Sequence, residues 1–62
     1  MINNDKENLV NSDYAAKLLV QNLNSLVKSS DPLLATTALE VLQQAIEAER
    51  KLKELLILVG QS

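Results

Sequence analysis

The side chains able to do chemistry are few. Glu47, Glu49 and Glu54 form the densest acidic group of the 62-residue chain, and grouped carboxylates serve general acid/base steps or hold paired metal ions in helical bundles. Such metal sites combine inward-facing glutamates with a histidine three residues further on, and this chain has no histidine. At helical spacing these glutamates fall mainly outside the apolar stripe, the pattern of a solvated face. Ser12, Ser25, Ser29, Ser30 and Ser62 likewise lack a histidine base, and a Ser–Lys pair needs a formed pocket that a chain this short does not readily supply. The expectation is therefore a non-enzymatic chain with no catalytic, cofactor or metal site.

Binding chemistry is similarly limited. Gly60 is the only glycine, so no glycine-rich phosphate cradle can form. The one basic cluster, Arg50, Lys51 and Lys53, is interleaved with Glu47, Glu49 and Glu54 in a chain of net charge −2, and Tyr14 is the single aromatic. Phosphate affinity rests on accumulated positive charge and base stacking on aromatics. Nucleic acid is disfavoured, and a small DNA- or RNA-binding dimer stays only as a second alternative, because two chains together could gather a basic patch.

These residues must be positioned by helices. Thirteen leucines, with alanines, supply most of an apolar content of 47%, a composition that favours helix and offers little to a sheet. The absence of cysteine removes disulfides. A domain of this size buries only about 60% of its unfolded surface, so the reinforcement left to it is regular helix packing or a second chain.

Residues 1–11 are polar and are expected to be flexible or frayed, ahead of a helical hairpin over 12–60. Asn4 and Glu7 would permit an earlier helix start through a capping box. The stronger start is Asn11 or Ser12, with Asp13 in the first turn. The first helix then covers about 13–28, with Ala16, Leu19, Leu23 and Leu26 on one stripe. Ser29-Ser30-Asp31-Pro32 ends it and opens the second: Asp31 is a good N-cap and Pro32 suits the first helical position. The second helix covers about 32–59, with Gly60 as a left-handed C′ residue.

The second helix carries a regular seam of Leu34, Ala38, Val41, Ala45, Ala48, Leu52, Leu55 and Val59, the 3.5-residue period of coiled-coil packing. Leu39, Leu42, Ile46 and Leu56 widen the apolar face beyond what one helix covers. At ~1.5 Å per residue the two helices span about 24 and 40 Å, which leaves Leu52 to Val59 uncovered in a lone hairpin. The economical fold is all-α: an antiparallel two-helix hairpin dimerising into a four-helix bundle. Its oligomer interface is expected at Leu19, Leu23, Leu26, Leu34, Ala38, Val41, Ala45, Ala48, Leu52 and Leu55. Glu47–Lys51 and Glu49–Lys53 have the i, i+4 order of helix-surface ion pairs.

Leu55, Leu56, Ile57, Leu58 and Val59 are apolar all round the helix and make a candidate surface for another protein. That five-residue run is the longest in the chain, against the roughly 20 residues of a membrane span, and the polar start does not look like a signal peptide. A cytoplasmic protein without a membrane span is expected.

A short first helix, a Ser-Asp-Pro break and a longer second helix, with Leu42-Gln43-Gln44 beyond Pro32, resemble the needle subunits of type III secretion systems over about half the chain. That resemblance implies a polymerising helical hairpin. The reading from the residues themselves is a protein–protein interaction module, of the regulator, adaptor or assembly-chaperone kind, acting as a homo-oligomer.

Overall fold

The computed structural model describes the backbone of residues 2–61 and the side chains of residues 4–60. The described residues form two helices, α1 (Ile2–Val27) and α2 (Pro32–Gln61), packed against each other as a hairpin. No helix among them is long and apolar enough to cross a membrane.

The turn follows from its residues. The end of α1 tightens as the Lys28 N–H donates to the Ser25 carbonyl (3.1 Å) and the Ser29 N–H to the Leu26 carbonyl (2.9 Å), which satisfies two terminal acceptors. Asp31 then caps α2: its Oδ1 accepts the N–H groups of Leu33 (3.0 Å) and Leu34 (3.3 Å). Pro32 is the first helical residue, where its missing N–H removes no bond. The Ser29 hydroxyl accepts the Asp31 N–H at 3.0 Å and ties the two halves of the turn together.

Both helices differ from the sequence expectation at their outer ends. α1 begins at Ile2 rather than Asp13, so the segment expected to be frayed over 1–11 is helical from residue 2. Extending the helix brings Leu9 into the interface, where it is half-buried, and packing of this kind outweighs a local cap signal at Asn11 or Ser12. Gly60 lies within α2 and has no positive φ, because a left-handed C′ is a conformation glycine permits and does not enforce. The longer α1, about 39 Å against about 45 Å for α2, also removes the length deficit. Leu52, Leu56 and Val59 are half-buried in the hairpin.

The seam between the helices alternates by threes and fours. α1 contributes Leu9, Asp13, Ala16, Val20, Leu23 and Val27; α2 contributes Ala35, Ala38, Leu42, Ala45, Glu49, Leu52, Leu56 and Val59. The core cluster is Leu23, Leu42 and Ala45, with Val20 and Val27 packed against it. Ala16, Leu23, Ala38, Leu42 and Ala45 are the buried apolar residues among those described. Three of these are alanines, so the helices approach closely but remove little apolar area from water. The result is a long, thin body: its Cα extents are 46 × 14 × 12 Å and its radius of gyration is 14.3 Å, against roughly 10.6 Å for a compact domain of this length.

Candidate interaction surface

The seam on α2 is rotated by one residue from the expected one. Ala38, Ala45, Leu52 and Val59 belong to both, but Ala35, Leu42, Glu49 and Leu56 face α1 in place of Leu34, Val41, Ala48 and Leu55. The apolar stripe on α2 is wide enough for two overlapping seams, and a single partner helix covers one of them.

The uncovered seam lies along one flank of the hairpin. Leu34, Val41, Ala48 and Leu55 each stand one position before a seam residue of α2, as Ser12, Leu19 and Leu26 do on α1. In an antiparallel pair these positions share a side, so the two rows form one surface. Its large members are well exposed: Leu19 48%, Leu26 41%, Leu34 43%, Val41 40% and Leu55 45%. The flank positions from Ser12 to Leu26 and from Leu34 to Leu55 carry no charge. An interface core shows that same depletion of charge. Of the ten residues expected at an oligomer interface, Leu19, Leu26, Leu34, Val41, Ala48 and Leu55 are on this flank. Leu23, Ala38 and Ala45 are buried between the chain's own helices, and Leu52 is half-buried there.

A polar layer interrupts the hairpin seam. Asp13 is 8% exposed, and its Oδ2 accepts a hydrogen bond from Lys17 Nζ at 2.8 Å. Its Oδ1 is buried without a protein hydrogen-bond partner. Across the seam Glu49 pairs with Lys53 at 3.5 Å. The hydrogen bond and charge of Asp13 raise Lys17 above its ordinary pKa of 10.5, and Glu49 adds in the same direction. The sequence reading puts Asp13 in the first turn of a helix starting near residue 13 and Glu49 mainly outside the seam. The spacing carried the signal, since Asp13 stands four residues after Leu9 and three before Ala16.

The other candidate groups are solvated. Arg50 bridges Glu47 and Glu54, its Nε donating to Glu47 Oε1 at 3.1 Å. Arg50 replaces Lys51 as the observed ion-pair partner of Glu47. Its hydrogen bond holds the Glu47 carboxyl below the usual 4.5. Among the described residues no three acidic side chains converge as a metal site would require. Open depressions on the surface of the described residues include two with clear linings. Glu40, Gln43, Gln44 and Glu47 line one on the outer side of α2; Asp5, Asn8, Leu9, Ser12 and Val59 line the other at the open end of the hairpin. In the stretch from Leu55 to Val59, Leu56 and Val59 turn toward the seam, whereas Leu55, Ile57 and Leu58 stay exposed.

No family profile, curated protein or solved structure gives a significant match to this chain.

Proposed function

We propose that the chain is a small, non-enzymatic protein–protein interaction module that works as a helical homo-oligomer, most simply two hairpins closing into a four-helix bundle. The observation that carries this reading is the uncharged flank of Leu19, Leu26, Leu34, Val41 and Leu55 beside a core that is largely alanine. A hairpin with so thin a core gains from covering that flank, because apolar area removed from water stabilises by about 25 cal/mol per Å². Ile57 and Leu58 lie outside the hairpin seam and are the residues offered to a protein partner of another kind. Such a module suits a regulator, an adaptor or an assembly chaperone working in the cytoplasm.

Light scattering over a concentration series tests the reading. A plateau at a small, defined oligomer is expected, with Val41→Asp giving a helical monomer, since the new charge falls on the flank and not in the seam. Growth without a plateau would instead favour a polymerising subunit of the needle type. DNA binding that weakens steeply with salt would favour the nucleic-acid alternative.

A further inference from the structure

We propose that a second copy of this chain seats on the exposed flank about a two-fold axis crossing near Ala48, so that the two turns lie at opposite ends of the dimer. The proposal rests on the homo-oligomer reading and adds the occupant's orientation and overlap.

Area sets the extent of the contact. The chain exposes 4804 Å², whereas a compact monomer of its 6.8 kDa mass exposes roughly 3,950 Å². The excess of about 850 Å² matches the ~800 Å² that each partner of a standard-size interface buries. Covering only the turn-end half of the flank would leave much of that excess in water, so the two copies overlap along their full length.

Relief sets the direction. The turn end of the flank is raised by Leu26, Leu34 and Val41. The open end is hollow: the depression there is lined by Asp5 and Ser12, which continue the heptad row of Leu19 and Leu26, together with Asn8, Leu9 and Val59. With the turns at opposite ends, the leucines of each copy fill the hollow of the other. With the turns together, leucine meets leucine and hollow meets hollow, and a void of that kind forfeits packing. Asp5 sits at the extreme end of the contact, where an interface rim stays wet.

A spin label on Ser30→Cys in the turn tests the arrangement by double electron–electron resonance on the intact dimer; the chain has no other cysteine. The expected separation is close to the hairpin's long axis of 46 Å. Packed helix axes lie only ~8–10 Å apart, so turns on the same end would give less than roughly 20 Å and overturn the proposal. Ser12→Leu reads the hollow independently: overfilling it should weaken the dimer about tenfold, with helicity unchanged by circular dichroism. A tighter dimer would mean that the hollow faces its own copy, against the proposal. A dimer with a short separation sinks this arrangement alone; a monomer at every concentration sinks the homo-oligomer reading with it.

Discussion

Asp13 lies between the two helices with one oxygen on Lys17 and the other without a protein donor. Burying a carboxylate so incompletely satisfied works against stability, and replacing such a group by an apolar one of similar size is often neutral or favourable. Asp13→Leu should raise the melting temperature, by about 4–8 °C for a gain near 1 kcal/mol. A fall in the melting temperature would instead show that the polar layer stabilises the hairpin. Lys17 gives this layer a pH dependence. Its folded pKa is raised above 10.5, so its contribution is fully present below pH 10.5 and is lost as pH climbs through the raised value. Thermal melts should therefore weaken in that alkaline window, and Lys17→Met should remove that part of the slope. Glu47 acts in the opposite sense: its pKa is lowered from 4.5 by the Arg50 hydrogen bond, so its contribution holds above pH 4.5 and fades as pH falls through the lowered value. Both partners are exposed, so this effect is small.

The turn and the packing of each helix make separate predictions. Asp31→Ala removes the acceptor of two N–H groups and should cost about 1 kcal/mol, read as a lower urea midpoint with little loss of helicity. Leu42→Ala opens a cavity in the core cluster and should cost about 2–4 kcal/mol, enough to leave much of a domain this small unfolded by circular dichroism. The turn was legible from Ser29 to Pro32 because cap and proline chemistry act over a few residues and need no tertiary partner. The start of α1 was legible only as the weaker alternative, the Asn4–Glu7 capping box, because Leu9 becomes a reason to continue the helix only once α2 lies beside it. The seam on α2 was half legible. Ala38, Ala45, Leu52 and Val59 fit either rotation of the apolar stripe, and the choice between Leu34 and Ala35, or Ala48 and Glu49, depends on α1. An acidic residue at a seam position goes against the apolar pattern, so Asp13 reads as a first-turn residue and Glu49 as part of a solvated face, although their spacing puts both on the seam.

Taken whole, the hairpin needs a partner along its side and not at its end. Helix lengths read from the sequence left the end of α2 uncovered, yet α1 extends far enough to half-bury Leu52, Leu56 and Val59. What remains unmet lies sideways: a flank of Leu19, Leu26, Leu34, Val41 and Leu55 on a body too thin to hide it. Five of the flank residues are large and apolar, so the surface was visible in the sequence as a stripe, but its separation from the hairpin's own seam was not. The measurement that bears most directly on the account is sedimentation equilibrium of the intact chain from low micromolar to high micromolar concentration, beside Val41→Asp. A bundle of two hairpins requires a wild-type mass approaching twice the 6.8 kDa of one chain and a helical Val41→Asp protein at the single-chain mass. A wild-type protein that stays folded at the single-chain mass throughout would contradict it.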